Sequence, residues 1–230
     1  MILTENPSSM KTLSVGRITI VISFLIGLSA AMTIRAEFAE NQTQIYLFKV
    51  LTMLMIITLA AMAKDPPLPR YKSLLIAGLI FSLVGDVLLA TEGLFIAGVF
   101  AFLIAQIVYS TAFIQVGGFY RSILGALPFL LYGIIVFFYL SSGLGDMTVP
   151  VLLYVIVIMF MIWQALGQYL QTKDRRALLA LIGAALFVVS DTFLAVNRFG
   201  TPIELARLYT LGTYYLAQWL FAMSAGWNHP

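Results

Sequence analysis

The chain has 230 residues, of which 61% are hydrophobic and 10% are charged, and its mean hydropathy is +0.99; because a soluble domain carries roughly a quarter charged residues, this composition predicts an integral membrane protein. The net charge of +3 gives no indication of nucleic-acid binding, and the chain has no cysteine for disulfide or thiolate chemistry. The only histidine, His229, is the penultimate residue, which argues against a zinc centre or a serine–histidine triad, so no metal or cofactor is predicted.

Eight apolar segments follow one another along the chain, each close to the roughly 20 residues that a helix needs to cross a bilayer. They cover residues 18–34, 45–63, 74–91, 94–115, 122–140, 149–171, 177–196 and 205–227. The pattern predicts an all-α membrane protein, a bundle of eight transmembrane helices forming a single transmembrane domain over residues 1–230. An alternative for the first segment is a signal peptide, since Lys11 and Arg17 precede it. Its length favours a retained helix.

Lysine and arginine are distributed unevenly between the two sets of connecting segments. If the N-terminus is inside, the cytoplasmic residues are Lys11, Arg17, Lys64, Arg70, Lys72, Arg121, Lys173, Arg175 and Arg176. Only Arg35, Arg198 and Arg207 then remain in outer connections. Because positive residues concentrate on the cytoplasmic side of a membrane, both termini are predicted to be cytoplasmic. The predicted location is a bacterial inner membrane.

A weak internal repeat relates the two halves of the chain. Residues 78–90 (GLIFSLVGDVLLA) align without gaps on residues 183–195 (GAALFVVSDTFLA), with five identities that include one aspartate. A genuine repeat would give two parallel four-helix halves, 18–116 and 122–227. Apolar helices also resemble each other by chance, and five identities do not separate the two explanations.

Two aspartates, Asp86 and Asp191, lie inside the third and seventh predicted helices. An ionised aspartate at mid-bilayer costs about 3 kcal/mol on insertion scales. Each residue is about five positions before the predicted outer end of its helix, which corresponds to roughly 8 Å of depth. The short side chain cannot reach the surface from there, so both carboxyl groups are predicted to face the protein interior. The alternative function for them is to hold helices together by hydrogen bonds.

Further polar residues occur on neighbouring helices at a similar level. Gln106 and Tyr109 share one face of the fourth helix, and Tyr214 and Gln218 share one face of the eighth. Arg198 follows Asp191 by two helical turns and so lies on the same side of the helix, where it would favour the ionised form of Asp191. If one aspartate acts as acid and the other as base, this slightly favours Asp191 as the base, but the sequence does not assign the two roles. The prediction is an acidic pocket with cations at its outer mouth, among them Arg198 and Lys49, and amides deeper in. Lys49 as a snorkelling anchor and the glutamines as interhelical glue are the alternatives.

Several of these residues belong to a larger pattern. It consists of Phe48 and Lys49 with Leu51 and Thr52, Gly78 and Leu79 with Gly85 and Asp86, residues 187–191 (FVVSD) with 197–199 (NRF), and residues 214–218 (YYLAQ). Over helices two to eight this set resembles the YhhN-like lysoplasmalogenase family. The sequence departs from the family pattern at Val50, where proline is common, and at Gln106, where histidine is common. Glutamine cannot shuttle a proton as imidazole does.

The resemblance implies an eight-helix hydrolase that cleaves the vinyl ether of lysoplasmalogens to a fatty aldehyde and glycerophospho-ethanolamine or -choline. The catalytic pair would be Asp86 and Asp191, one as acid and one as carboxylate, as in glycoside hydrolysis. The partner would be a lysophospholipid taken from the bilayer, and no protein partner is implied. The candidate substrate-binding residues are Lys49, Gln106, Tyr109, Asn197, Arg198, Tyr214 and Gln218.

Two other functions would use the same acidic pair. A small proton-coupled transporter also needs membrane carboxylates, but the helices that carry Asp86 and Asp191 have no proline or unwound glycine pair of the kind found in broken transporter helices. An intramembrane aspartyl protease also uses two helix-borne aspartates, but only Gly85 resembles its motif. The hydrolase is the favoured interpretation.

Overall fold

The structure is a computed structural model that describes the backbone of residues 7–226 and the side chains of residues 16–226. His229 and the side chain of Lys11 lie outside the described residues. All regular structure in the described part is helical, and a 3₁₀ turn (Gly145–Met147) joins the fifth and sixth helices. The α-helices are α1 (Pro7–Phe38), α2 (Gln42–Met62), α3 (Pro69–Ala90), α4 (Phe95–Gly117), α5 (Ile123–Leu144), α6 (Thr148–Thr172), α7 (Arg175–Phe199) and α8 (Ala206–Ser224).

The described residues contain six stretches long and apolar enough to cross a membrane. One of them, Ile123–Thr172, contains both α5 and α6, because only the 3₁₀ turn separates these helices. The helix α8 is not among the six, since it carries Arg207, several tyrosines and Gln218 within 19 residues. The chain is therefore an all-α membrane protein, whereas eight separate crossings stay a prediction.

Local capping explains where several helices begin and end. Before α2, the side chain of Asn41 accepts a hydrogen bond from the backbone N–H of Gln44. Before α7, the side chain of Asp174 accepts one from the backbone N–H of Ala177. Proline at the first position of α3 suits a place where the amide has no helical partner. The helix α6 ends at Lys173, which has a left-handed backbone (φ 52°). Short polar side chains and proline thus delimit apolar helices that have few internal stop signals.

The helices of the bundle pack mainly in two pairs. The most extensive contacts join α3 to α4 and α7 to α8, and α2 packs on α1, α3 and α8. These two pairs carry the segments of the sequence repeat, but the repeat halves 18–116 and 122–227 stay a prediction. In the described part of the chain, α4 and α5 do not pack against each other, and α5 is held by α6 and α7.

Glycines allow the two main helix pairs to approach closely. A Cβ on Gly78 would overlap the ring of Tyr109, and one on Gly85 would overlap the ring of Phe102. Such contacts between a small residue and a large side chain are a common way for membrane helices to associate. The rings of Tyr109 and Phe102 on α4 therefore pack directly against α3.

Candidate functional site

A cavity of about 480 Å³ opens at the end of the bundle where α1 meets α2, α3 meets α4 and α7 meets α8. Both aspartates line it, although they come from helices far apart in sequence. Of the other predicted site residues, Lys49, Asn197, Arg198 and Tyr214 also line it, together with Glu37 and Arg207. The structure thus brings six of the nine predicted residues to one wall.

Asp86 lies on the side of the cavity that contains an ion pair between a buried lysine and a partly exposed glutamate. Its side chain is buried, and the Tyr214 hydroxyl donates a hydrogen bond of 2.7 Å to its Oδ2. Lys49 is also buried, and its Nζ is 2.9 Å from Oε1 of Glu37. Because a buried charge is tolerated only with a partner, Glu37 explains how Lys49 remains at this depth without reaching the lipid interface.

Asp191 has uncharged hydrogen-bond partners. The Tyr154 hydroxyl, from α6, donates to Oδ2 of Asp191 at 2.5 Å, and Nε2 of Gln106 lies 3.5 Å from the same oxygen. The Gln106 contact is at the weak limit for a hydrogen bond. The Asp191 carboxylate is thus oriented mainly by Tyr154.

The expected equal spacing of the two aspartates from their helix ends is wrong. The helix α3 ends at Ala90, four residues after Asp86, whereas α7 ends at Phe199, eight residues after Asp191. These spacings correspond to about 6 Å and 12 Å of helical rise. The helix α7 is longer than predicted because residues 197–199 (NRF) remain helical beyond the apolar run, and Gly200 is the C-cap.

Arg198 does not pair with Asp191, as the sequence suggested. Its guanidinium lies over the ring of Phe95, 3.7 Å from the centroid, and its side chain is exposed. No ion pair joins it to an acid among the described residues. The argument that Arg198 makes Asp191 the base therefore loses its support.

Tyr109, Gln218 and Gln106 lie in the packed core, outside the wall of the cavity. The Tyr109 hydroxyl donates to Oε1 of Gln218 at 2.7 Å, which links α4 to α8. Within the described structure, Oε1 of Gln106 and Nε2 of Gln218 have no hydrogen-bond partner. Contact of these three residues with substrate stays a prediction; their observed contacts are between helices.

Sequence reasoning missed Glu37 and Tyr154. Glu37 lies beyond position 34, where the first apolar segment is predicted to end, whereas α1 continues to Phe38. Residues 35–38 (RAEF) are not an apolar run, so the pattern gives no signal for Glu37. Nothing in the spacing of Tyr154 relates it to Asp191.

A second, smaller cavity of about 80 Å³ adjoins the first and is almost entirely apolar. The two share Asp191, Leu89, Phe95, Phe102, Leu194 and Arg198, but Asp86 lines only the larger one. Asp191 therefore stands where a charged compartment meets a hydrocarbon compartment. This arrangement can hold an amphiphile with its polar part beside Lys49 and its chain beside Asp191.

The chain matches the YhhN family over residues 44–225. It is 41% identical over 66 residues to human lysoplasmalogenase TMEM86A, covering 27% of this chain and 28% of that protein. It is 35% identical over 104 residues to the bovine protein of the same name, covering 44% and 43%. It is 52% identical over 42 residues to pig lysoplasmalogenase TMEM86B, covering 18% and 19%. Each alignment spans less than half of the curated relative, and no solved structure matches the chain significantly.

Proposed function

The chain belongs to the YhhN family, and on that premise we propose that it is a membrane hydrolase that cleaves the vinyl ether bond of lysoplasmalogens. The products are a fatty aldehyde and glycerophospho-ethanolamine or -choline. The observation that carries the proposal is the pair of membrane aspartates on the wall of one polar cavity. Ionisable residues at such depth are costly and are generally kept for function.

Vinyl ether hydrolysis needs a proton donor for carbon, and a carboxylate can stabilise the resulting cation and activate water. The first step protonates the second carbon of the alkenyl chain, which lies on the chain side of the ether oxygen. Asp191 lines the apolar compartment as well as the polar one, whereas Asp86 lines only the polar one. The proposed proton donor is therefore Asp191 and the proposed carboxylate is Asp86, the reverse of the assignment that Arg198 suggested.

The proposed reaction returns both residues to their starting states. Asp191 gives its proton to the second chain carbon, and the double bond becomes an oxocarbenium ion. Water adds to the first carbon and gives a proton to Asp86, which forms a hemiacetal. Asp86 then returns that proton to the departing glycerol oxygen while Asp191 takes the hydroxyl proton of the hemiacetal, which releases the aldehyde. Two carboxyl groups thus perform the acid and base steps without a histidine.

The proposed site also suits a lysophospholipid head group. Lys49, Arg198 and Arg207 lie on the cavity wall, where they can face a phosphate. Because Glu37 neutralises Lys49 and Glu40 pairs with Arg207, Arg198 supplies the positive charge at the mouth that has no acidic partner among the described residues. The departure at Gln106 leaves an amide near Asp191 that can orient its carboxylate but cannot exchange a proton.

The proposed location is a bacterial inner membrane, with eight crossings, cytoplasmic termini and the cavity open to the outer side. The chain has no cysteine, so single-cysteine variants report accessibility cleanly. Glu204→Cys, near the cavity, should react with a membrane-impermeant maleimide in intact cells, and Arg70→Cys, at the other end, should react only after lysis. The opposite pattern would reverse the orientation.

Aldehyde release by the purified protein in detergent tests the proposed activity. A lysoplasmalogen should yield aldehyde while the matching ester lysophospholipid is left intact. In D₂O the aldehyde should carry one deuterium on its second carbon, because that carbon receives the solvent-derived proton. Cleavage of the ester alone would replace the proposed substrate class, and an aldehyde without deuterium would exclude carbon protonation.

A further inference from the structure

The smaller cavity is lined mainly by apolar side chains. Side chains of Val99, Val136, Val155 and Ile158 contribute to it. Its hydroxyl groups already have protein partners, since Tyr154 donates to Asp191 and Thr192 bonds to Tyr132. A cavity of this kind offers a ligand no free hydrogen-bonding group apart from those of Asp191 and Arg198, so it suits an apolar chain.

The wall is interrupted between α4 and α5. Val99 lies on α4 and Val136 on α5, yet these helices do not pack against each other in the described structure. At the outer end of the cavity, the ring of Phe95 on α4 meets that of Phe199 on α7 edge to face at 6.1 Å, and Arg198 covers Phe95. This contact joins α4 to α7 and leaves a gap between α4 and α5 beside Val99 and Val136.

The volume limits how much of a chain the protein can hold. About 80 Å³ is well below the roughly 300 Å³ of even small ligand pockets, so only a few methylene groups fit. Atoms further along the chain must leave through the opening between α4 and α5. Lipid tails are as apolar as apolar protein side chains. The free energy of the remaining chain atoms therefore differs little between the bilayer and an apolar protein cavity.

Resting on the proposed function, we propose that the alkenyl chain of the substrate passes sideways between α4 and α5, with its first few carbons held beside Asp191 and the remainder left in the bilayer. Two consequences follow for specificity. Lengthening the chain beyond those carbons leaves kcat/KM in membranes unchanged. A methyl branch within them lowers kcat/KM by about tenfold or more, because tight apolar pockets discriminate single methyl groups by such factors.

Photo-crosslinking tests the chain path without requiring cleavage. The probes are two alkyl-ether lysophospholipids, one with a diazirine on an early chain carbon and one with a diazirine at the chain end. The early probe should label peptides of α4 and α5 that contain Val99 or Val136, and the end probe should label no buried position. Labelling of core residues around Tyr109 and Gln218 by the end probe would overturn the proposal.

Substitutions at the opening provide the second test. Val99→Phe and Val136→Phe should lower kcat/KM at least about tenfold for long-chain lysoplasmalogens and by a smaller factor for a prop-1-enyl analogue, whose chain ends before the gap between α4 and α5. Ile96→Phe and Ile135→Phe are matched controls, since they lie on the same helices, are exposed and do not line the cavity. Equal effects in both sets, or no effect in the first, would overturn the chain path. Absence of aldehyde from the unmodified protein would instead count against the proposed function, while the crosslinks still report the path.

Discussion

The two aspartates align with each other between the two similar segments of the chain, but they have different surroundings. Asp86 shares its side of the cavity with the Lys49–Glu37 ion pair and accepts a hydrogen bond from Tyr214. The partners of Asp191 carry no charge, and this residue also borders the apolar cavity. The same residue type at equivalent sites is therefore given a charged environment on one side and an apolar environment on the other.

This difference originates in the neighbouring helices and not in the helices that carry the acids. The environment of Asp86 comes from α1, α2 and α8, and that of Asp191 comes from α4 and α6. Two equivalent carboxyl groups can thus take unlike tasks without any change in the local motif. A division into proton donor and carboxylate needs such asymmetry.

The largest expected effect comes from removing either carboxyl group. Asp86→Asn and Asp191→Asn should each lower the rate of aldehyde release by about 10²–10⁴-fold, the usual contribution of an acid or base. The matched control is Asp146→Asn, an exposed acid outside the cavity, which should keep normal turnover. Near-normal turnover in one of the two aspartate variants would mean that the aspartates do not share the reaction.

The free energy of unfolding should depend strongly on the Lys49–Glu37 ion pair, which lies on the Asp86 side of the cavity. Lys49→Met leaves Glu37 without its partner, and because the Glu37 side chain is 20% exposed, the loss should be at most the roughly 3–5 kcal/mol that breaking a fully buried pair costs. The double variant Lys49→Met with Glu37→Gln should recover much of that loss, as measured by the free energy of unfolding in mixed micelles. The exposed pair Arg207 and Glu40, 3.6 Å apart, is the control, and losing it should cost about 0–1 kcal/mol. Equal costs for the two pairs would show that the cavity is wetter than its burial indicates.

The architecture was largely predictable because hydrophobic length is a local property of the chain. Each predicted segment overlaps one observed helix. Asp86 and Asp191 were predictable as interior residues because a membrane charge is costly wherever it points into lipid. The helix α8 was the weaker case, since its polar residues reduce its hydropathy below that of the other helices.

The partners of the site residues were not predictable, since spacing along one helix fixes a face but not the helix opposite that face. Gln218 and Tyr109 were both assigned to a pocket, whereas they bond to each other in the core. Tyr154 reaches Asp191 from a helix 37 residues earlier, and no periodicity encodes that contact. Arg198 has the predicted spacing from Asp191 but stacks on Phe95.

The tyrosine hydroxyl groups should have a smaller effect than the carboxyl groups that they orient. A hydrogen bond to a charged group is worth about 1.5–3 kcal/mol and one between neutral groups about 0.5–1.5 kcal/mol. Tyr214→Phe, beside the Asp86 carboxylate, should therefore lower kcat at least about tenfold, and Tyr154→Phe, beside the protonated Asp191, about two- to tenfold. KM should change little, because the hydroxyl groups are bonded to the aspartates. Tyr139→Phe, an exposed tyrosine bonded to Thr201, is the control and should leave both constants unchanged. An increase in KM alone would place these tyrosines on the substrate instead of the carboxyl groups.

The smallest expected effect belongs to the mouth of the cavity, and it tests whether Arg198 acts on Asp191 at all. An exposed cation–π contact contributes about 0.5–1 kcal/mol, so Arg198→Gln and Phe95→Leu should each raise KM roughly two- to fivefold with kcat unchanged. Because the two side chains contact each other, the double variant should resemble the single ones and should not show the product of their effects. A fall in kcat for Arg198→Gln, with Phe95→Leu unaffected, would instead show that the guanidinium supports the Asp191 carboxylate. The charged and uncharged sides of the cavity would then no longer be distinct.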